Sequence, residues 1–300
     1  MKYDIAVLGS INLDIITKVE KYPAHSETVI ANGMEMLPGG KGANQAIAVA
    51  KQGNSMIFLG AVGQDDFGKQ ILDNLDRFGV NTDSVLRLEG VPTGTCVIVL
   101  DESGENTMMG SLGANLAITK EHIQRAFSDI EAKIFLLQME TTKESIIESV
   151  RIAKEKGMYI ILDPAPADGY FEEILPLVDM IIPNQQETER ITGIKVNSEE
   201  DARKAAEIIH QAGVKEVIIK MGVGGCLYYS EEETFLIEAM QVKALNTVGA
   251  GDTFAGALAS GLLKYKSKKE AIQYANKAAG IKVSRAGGQE AIPTSEEITV

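Results

Sequence analysis

Short apolar runs alternate with amphipathic segments along most of the chain. Six runs consist mainly of Val, Ile and Leu and are bounded by Gly, Pro or Asn, which is typical of strands buried on both faces: YDIAVLG, MIFLGAVG, KIFLLQME, MYIILDPAP, MIIPN and EVIIKMG. Between them, four segments repeat apolar residues every three or four positions and end near a glycine, which indicates helices: ANQAIAVAKQG, GKQILDNLDRFGV, KESIIESVRIAKEKG and EDARKAAEIIHQAGV. The alternation predicts a three-layer, Rossmann-like α/β sandwich with a mainly parallel sheet flanked by helices.

Two regions interrupt this alternation. Residues at about 12–38 and 92–113 are rich in Thr, Val and Met and contain turn signals such as DESGEN, so they are predicted to form short antiparallel strands. We expect a small second sheet, inserted into a single domain that spans residues 1–300. Thr93 and Gly94 lie where the chain would enter the second inserted region, and they are candidates for a hinge.

The charge balance excludes several kinds of partner. The 300 residues include 29 basic and 42 acidic ones, a net charge of −13, so the protein would repel nucleic acid and anionic lipid. The longest apolar runs are far shorter than the roughly 20 residues that cross a bilayer, and the N-terminus lacks a signal-like pattern. Cys96 and Cys226 are far apart and in no metal-binding motif, so we expect both to be reduced. These features predict a cytoplasmic protein with no nucleic-acid or membrane partner.

The segment NTVGAGDTFAGALASGLL places small residues and one carboxylate before a long apolar run. Gly249, Ala250 and Gly251 would let backbone N–H groups approach an anion, and the following helix would add its positive end. A carboxylate at Asp252 would compete with such an anion unless it acts as a base, as transfer of a phosphoryl group to an alcohol requires. The alternative is that Asp252 and Thr253 merely begin a helix.

A second glycine cluster occurs in PGGKGANQAIAVA. Residues 39–42 would form a loop that runs into a helix, and Lys41, Asn44 and Gln45 offer donors suited to a polyhydroxyl ligand or a negative group. The loop is not a Walker A motif, because Lys41 is followed by glycine rather than Ser or Thr. The dinucleotide fingerprint is also absent, since no glycine cluster here has its third glycine.

Polar side chains follow two of the predicted strands. Asn12 and Asp14, in GSINLDII, would point to the same face of an extended segment, where an amide and a carboxylate can bind sugar hydroxyls. The alternative is a polar turn after the strand. Glu140 ends the strand KIFLLQME at its carboxyl edge, where open α/β sheets bind ligands.

Taken in order, the motifs resemble those of the ribokinase-like family of carbohydrate kinases over nearly the whole chain: GSINLD, GGKGANQA, GENTMM, QME, LDPAPA, PNQQE, IKMGVGG, NTVGAGDTFAGA and SRAGGQEAIP. The resemblance implies transfer of a phosphoryl group from ATP to a sugar, with Asp252 as catalytic base and Gly249, Ala250 and Gly251 as the anion hole. It also implies a sugar site made of Asn12, Asp14, Gly40, Lys41, Gly42, Ala43, Asn44, Glu140 and Asp252.

The same resemblance implies a nucleotide site made of Asn184, Lys220, Met221, Gly222, Val223, Gly224, Gly225, Gly251 and Asn276. The Asn-x-x-Glu pattern of Asn184 and Glu187 implies that Glu187 holds Mg²⁺ through water, because Mg²⁺ prefers oxygen ligands and keeps several waters. The alternative for Glu187 is a solvated charge on a helix.

The identity of the sugar is less well defined. The resemblance favours D-ribose, phosphorylated at its 5-hydroxyl to give ribose 5-phosphate and ADP, whereas related enzymes with the same machinery act on fructose or nucleosides. Gly110 stands where close family members carry a bulkier aliphatic residue, which suggests a roomier pocket. A non-catalytic sugar-binding regulator is the alternative of another class, but a regulator would not need the base at Asp252.

The resemblance has two further implications. The small sheet would act as a lid that excludes water, and we expect a homodimer in which two copies cover the exposed faces of their lids.

Family members also commonly hold potassium beside the anion hole, but the matching positions here are Asn246, which carries no charge, and Ala291, which offers no side-chain ligand. With the remaining ligands supplied by backbone carbonyls, we expect weak activation by K⁺; the alternative is that Asn246 bridges the loop and no ion binds. The carbonyls are those of Val248, Lys282, Arg285 and Gly287.

Overall fold

The computed structural model describes residues 1–102 and 106–299. Its strands are β1 (Lys2–Leu8), β2 (Asn12–Lys18), β3 (Gly33–Gly39), β4 (Met56–Gly63), β5 (Ser84–Leu88), β6 (Gly94–Leu100), β7 (Asn106–Ser111), β8 (Glu131–Leu137), β9 (Tyr159–Leu162), β10 (Met180–Ile181), β11 (Glu216–Lys220), β12 (Cys226–Ser230) and β13 (Thr234–Ile237). Its α-helices are α1 (Lys41–Ala50), α2 (Asp66–Arg77), α3 (Lys120–Ser128), α4 (Lys143–Glu155), α5 (Gln185–Thr192), α6 (Glu199–Gln211), α7 (Ala250–Lys264) and α8 (Lys268–Val283).

The larger sheet has the order β13-β12-β11-β10-β9-β8-β1-β4-β5. The strands from β11 to β5 pair in parallel, and β12 and β13 add an antiparallel edge. All six predicted apolar runs form strands, and these strands are neighbours in the sheet. The edge strands β5, β12 and β13 were not predicted from the sequence.

Helices cover both faces of this sheet. Along β1, Ile5 and Val7 pack into one apolar core with α1, α2, α7 and α8, while Ala6 and Leu8 pack into another with α3, α4 and α6. Because successive strand residues point to opposite faces, a strand buried on both faces reads as a continuous apolar run. The predicted three-layer α/β sandwich is therefore confirmed. The four predicted helices form as α1, α2, α4 and α6.

The smaller sheet has the order β3-β2-β6-β7. β2 and β3 are antiparallel, as are β6 and β7, but β2 and β6 pair in parallel. The expectation of antiparallel strands throughout was therefore wrong at the centre of this sheet. Part of the predicted DESGEN turn, and of the GENTMM motif, lies at residues 103–105, outside the described residues.

The start of β6 is tied to the larger layer. Thr93 is buried; its Oγ1 donates to Asp65 Oδ1 at 2.6 Å, and its backbone N–H donates to Asp65 Oδ2 at 2.8 Å. Asp65 is also the N-cap of α2, so β6 departs from a fixed point. A hinge at Thr93 and Gly94 remains a prediction. None of the helices in the described ranges is long and apolar enough to cross a membrane.

Candidate active site

The N-terminus of α1 lies against the end of β1. Its N-cap, Gly40, has φ +93°, and a Cβ there would lie 2.7 Å from the carbonyl oxygen of Ser10 and 2.8 Å from the backbone nitrogen of Asn12. Glycine is therefore required both by the backbone conformation and by the space. This close approach brings Lys41 and Asn44, in the first turn of α1, beside Asn12, the first residue of β2.

The carboxylate of Asp252 lies in the first turn of α7 and is buried. Asn44 Nδ2 donates to its Oδ2 at 2.9 Å, and Gln45 Nε2 donates to its Oδ1 at 3.2 Å. Two amides on α1 thus fix the orientation of a carboxylate on α7. Asn44 was predicted to belong to the sugar site, and its side chain contacts Asp252 directly.

The predicted anion hole forms the turn that leads into α7. Gly249 is the N-cap, with φ +77° and no side-chain cap. The N–H of Ala250 donates to the carbonyl of Thr247 at 3.2 Å, whereas the N–H of Gly251 has no acceptor within the helix; both lie at the positive end of its dipole. Lys220 Nζ approaches this turn, since it lies 3.6 Å from the position a Cβ would take on Gly251. The turn can therefore hold an anion next to Asp252.

Several charged groups share the cleft between β1, β8 and α7. Burial and the charges of Glu140 and Asp252 raise the pKa of Asp14 to about 6. Burial also raises the pKa values of Glu140 and Asp252, although Lys41 lowers both. For Lys41, burial acts to lower the pKa, but Asp252 and Glu140 hold it above its ordinary value. Lys41 is therefore a permanent positive charge among three carboxylates.

Two supporting residues beside Glu140 and Asn12 were not predicted from the sequence. Ser10 Oγ donates to Glu140 Oε2. Asn115 Nδ2 donates to Asn12 Oδ1 at 2.9 Å, while Asn115 Oδ1 accepts the N–H of Ile11 at 2.9 Å. The amide of Asn12 is thereby oriented, with its oxygen engaged and its NH₂ group left to donate. Asn115 lies more than 100 residues away, and nothing in its local sequence indicates this contact.

A further buried network lies beneath Asp252. Gln45 Nε2 donates to Asp163 Oδ2 at 2.9 Å as well as to Asp252, and Gln138 Nε2 donates to Gln45 Oε1 at 2.6 Å. Asp163 Oδ1 accepts from Lys220 Nζ at 3.0 Å. Asp163 was quoted within LDPAPA but not singled out, and it joins Gln45 to Lys220. This network links the two halves of the site.

The predicted nucleotide residues meet at a cavity of about 410 Å³ on the other side of the α7 N-terminus. Seven of them line it: Asn184, Lys220, Gly222, Val223, Gly225, Gly251 and Asn276. Most of the remaining wall is apolar, including Phe254 and Val283, which suits a flat ring. Two predicted members do not line the cavity: the side chain of Met221 is buried in the apolar core, and Gly224 packs against it.

Glu187 is buried rather than solvated, so the alternative of a solvated helix charge is wrong. Its Oε2 accepts the backbone N–H of Asn184 at 2.7 Å, and its Oε1 accepts Asn184 Nδ2 at 2.8 Å. Burial and the charge of Asp163 raise the pKa of Glu187. The described residues contain no group of three or more potential metal-ligating side chains. A single carboxylate with free lone pairs fits Mg²⁺ that is held mainly by water and phosphate.

The loop expected to hold potassium differs from that expectation. Asn246 Oδ1 accepts the N–H of Val248 at 3.0 Å, and Asn246 Nδ2 donates to the carbonyl of Gly287 at 2.9 Å. Asn246 therefore bridges the loop, which is the alternative raised from the sequence. Lys282 Nζ lies 3.2 Å from the same Gly287 oxygen and 3.5 Å from the backbone oxygen of Asn246.

The carbonyl of Lys282, a member of the expected cation cage, accepts the N–H of Arg285 at 3.2 Å. Ala291, which offers no side-chain ligand, is buried. The backbone oxygens of Asn246 and Gly287 lie near the amine of Lys282. The residues do not fit a bound potassium ion.

The buried carboxylate of Asp252 lies between a polar cleft and a largely apolar cavity, which suits a base that takes a proton from a hydroxyl next to a bound nucleotide. The chain matches the model of the pfkB family carbohydrate kinases over residues 2–295, and it belongs to this family. It is therefore a phosphotransferase that acts on a sugar hydroxyl.

Several ribokinases are similar to this chain over almost its whole length. Ribokinase from Haemophilus influenzae is 34% identical over 298 residues, which cover 99% of this chain and 97% of the relative. The crystal structure of Thermotoga maritima ribokinase is 37% identical, with a TM-score of 0.90 and coverage of 99% of this chain and 98% of that one. Arabidopsis thaliana ribokinase, solved with ribose and ATP, is 32% identical, with a TM-score of 0.91 and the same coverage. The whole chain is thus of the ribokinase type.

Proposed function

We propose that the protein is an ATP-dependent kinase that phosphorylates D-ribose at its 5-hydroxyl, giving ribose 5-phosphate and ADP. The observation that carries the proposal is the position of Asp252, which Asn44 and Gln45 fix between the polar cleft and the cavity lined by Lys220 and Gly251. The complex of the Arabidopsis relative with ribose and ATP supports this choice of sugar and nucleotide.

The cleft residues bind and orient the sugar in this proposal. Asp14 and Glu140 accept hydroxyl hydrogen bonds, while the NH₂ group of Asn12 and the ammonium of Lys41 donate them. Asp14 lies on the small sheet, and Glu140 follows β8, so the sugar bridges the two layers. Closure of the small sheet would then exclude water, which otherwise competes as an acceptor of the phosphoryl group.

Asp252 accepts the proton of the 5-hydroxyl as the oxygen attacks the terminal phosphorus of ATP. The N–H groups at Gly249, Ala250 and Gly251 stabilise the charge on the transferring group, and Lys220 adds a positive charge beside them. Glu187 would hold Mg²⁺ through water, and the bound ion would supply positive charge to offset that of the phosphates. Asn276 and the apolar wall of the cavity bind the base. Potassium has no part in this proposal, because its loop does not fit it.

A larger acceptor is the second candidate, and one position favours it. The register places Asp14 opposite Cys96, and Cys96 opposite Gly110, so the three lie in one row on the same face of the small sheet. A Cβ on Gly110 would meet nothing within 4 Å. The space left open at Gly110, opposite Cys96, could accommodate fructose or a nucleoside.

Release of ADP is the measurement that tests the proposal. With MgATP, D-ribose should give a higher kcat/KM than fructose, other pentoses or nucleosides, and mass spectrometry with NMR should identify ribose 5-phosphate. A tenfold preference for fructose or a nucleoside would overturn the choice of sugar. Sugar binding without ADP release on any acceptor would instead favour the non-catalytic regulator.

The proposal extends to assembly and location. The exposed face of the small sheet carries methionines, which supports a homodimer formed through the lid. Both cysteines are unpaired thiols, as expected in the reducing cytoplasm, where ATP is available.

A further inference from the structure

The side chain of Lys282 is almost completely buried, with 1% of its surface exposed, and it lies at the end of α8 rather than in either ligand site. Lysine is rarely buried unless its ammonium is paired, because removing the charge from water is costly. The Nζ atom has two carbonyl partners, Gly287 and Asn246. Burial lowers the pKa of Lys282, whereas the charge of Asp252 acts to raise it. The structure therefore places an amine, held by two carbonyls, between two loops.

Both partners belong to loops next to the anion hole. Asn246 lies three residues before Gly249, the N-cap of α7, and Lys282 Cε lies 3.8 Å from the position a Cβ would take on Gly249. Gly287 belongs to the loop after α8. Asn246 Nδ2 donates to the Gly287 carbonyl as well, so the amine and the amide join the two loops through one oxygen.

We propose that the ammonium of Lys282 takes the place of a bound monovalent cation, so that the enzyme needs no potassium. The proposal rests on the kinase function proposed above. Two carbonyl oxygens converge on Nζ as they would on an ion, and a second cation placed there would be repelled at contact distance. Because the charge is attached to α8, no binding equilibrium is needed to fill the position.

Lys282 acts as a positioning residue. Its Nζ contacts the backbone of the loop that leads into Gly249, so it fixes the turn whose N–H groups stabilise the transferring group. Its charge also adds to the positive potential at the α7 N-terminus, where phosphate charge must be accommodated. Loss of the ammonium should therefore lower kcat more than it raises the KM for the sugar.

The test compares salts at constant ionic strength, with KCl or NH₄Cl against choline chloride. The wild-type rate should change by less than about twofold. Lys282→Ala empties the position; in choline chloride, its kcat should fall by about tenfold to a hundredfold, somewhat less than the loss of a hydrogen-bond donor from an anion hole causes. Potassium or ammonium should restore most of that loss, with the KM for the sugar within a few-fold throughout.

Two further variants separate charge from packing. Lys282→Met fills the same space without a charge, so it should lose a similar factor in kcat and gain nothing from potassium. Lys269→Ala removes an exposed lysine from the same helix and should behave as the wild type does. Recovery by Lys282→Met in KCl would contradict the proposal, as would strong activation of the wild type by potassium.

A readout without turnover keeps this test independent of the proposed function. An ion that binds the folded state raises its melting temperature. KCl should therefore raise the melting temperature of Lys282→Ala above its value in choline chloride and leave the wild type unchanged. If the enzyme releases no ADP with ribose but the melting temperatures respond to KCl in this way, the sugar assignment fails while the role of Lys282 stands. Equal responses of the two proteins to KCl would overturn that role.

Discussion

Asp252 accepts one amide hydrogen bond on each carboxylate oxygen, and this geometry leads to the first prediction at the residue scale. Replacement of Asp252 by Asn keeps the shape of the side chain but removes the base. We expect kcat to fall by ~10²–10⁴, while the affinities for sugar and ATP stay within a few-fold, because a base acts mainly in the transition state. Single-turnover kinetics with separate binding titrations would measure both.

The matched control is Asp66→Asn, which removes an exposed carboxylate from the first turn of α2, away from the site. It should keep the wild-type rate. A rate above half of the wild-type value in Asp252→Asn would mean that another group takes the proton.

The raised pKa of Asp14, about 6, predicts a pH effect on sugar binding. Protonated Asp14 is a poorer acceptor for hydroxyl groups, so kcat/KM for the sugar should fall as the pH is lowered through 6. Asp14→Asn should raise the KM for the sugar and move this acid limb to lower pH, with the KM for ATP unchanged. An acid limb unaffected by the substitution would assign the titration to another group, such as Glu140.

The same shift has a consequence for stability, with a definite sign. The folded protein binds the proton of Asp14 more tightly than the unfolded chain does, so this group favours folding below about pH 4 and loses that contribution as the pH rises through 6. Asn cannot ionise, so Asp14→Asn should raise the melting temperature at pH 8 and have a smaller effect at pH 4. Scanning calorimetry at the two pH values would check it.

Some site residues could be predicted from their local sequence, whereas others depend on contacts with distant parts of the chain. Asp252 and Lys41 lie beside glycines that mark a helix N-terminus, so their local sequence carries a signal. Asn115 contacts Asn12, and Asp163 contacts Gln45, across more than 100 residues of sequence. For Lys282, the sequence pointed only to the backbone carbonyl, whereas the direction of its side chain depends on how α8 packs.

At the scale of elements, strands buried on both faces were predicted well because they are continuous apolar runs. The strands β5, β12 and β13 mix polar or aromatic residues with apolar ones, so their pattern is weaker. The parallel pairing of β2 with β6 joins segments about 80 residues apart. No local pattern encodes such a pairing, and the hairpin signals on either side suggested antiparallel strands throughout.

The contact between α1 and α7 positions the catalytic carboxylate and yields a further prediction. A Cβ on Gly256 would lie 2.5 Å from the Ala48 Cβ and 2.8 Å from the carbonyl oxygen of Gln45. Gly256→Ala should therefore push the helices apart and lengthen the Gln45–Asp252 contact. We expect a loss of about 1–3 kcal/mol in the free energy of unfolding, from overpacking, together with a lower kcat.

Helix propensity acts in the opposite direction, since alanine is better than glycine in a helix by about 1 kcal/mol. A net loss of stability would therefore be due to the contact itself. Gly33→Ala, at the start of β3, controls for adding a methyl group without a clash, because a Cβ there meets nothing within 4 Å. Denaturant unfolding should show little change for Gly33→Ala, and equal stability of the two variants would contradict the tight helix contact.

At the scale of the whole molecule, the two faces of the small sheet have different characters. The row that contains Asp14, Cys96 and Gly110 faces the sugar in our proposal. The adjacent row, Met36, Ile15, Val97 and Met109, points to the opposite side and is apolar across all four strands. Met34, Met36 and Met109 are 61%, 40% and 56% exposed, so this outer face lacks a cover within the described part of the chain. A second copy would bury it.

The last prediction follows from this outer face. The double variant Met36→Glu and Met109→Glu places two carboxylates in its central row, which a second copy would have to desolvate, so we expect a dimeric wild type and a monomeric variant by analytical ultracentrifugation. Ile208→Glu is the control, because Ile208 is similarly exposed, at 42%, but lies on α6. Loss of the partner should also raise the KM for the sugar, since the lid carrying Asp14 would lose support from outside, while the KM for ATP stays unchanged. A wild type that sediments as a monomer at micromolar concentration would remove the basis for this interface.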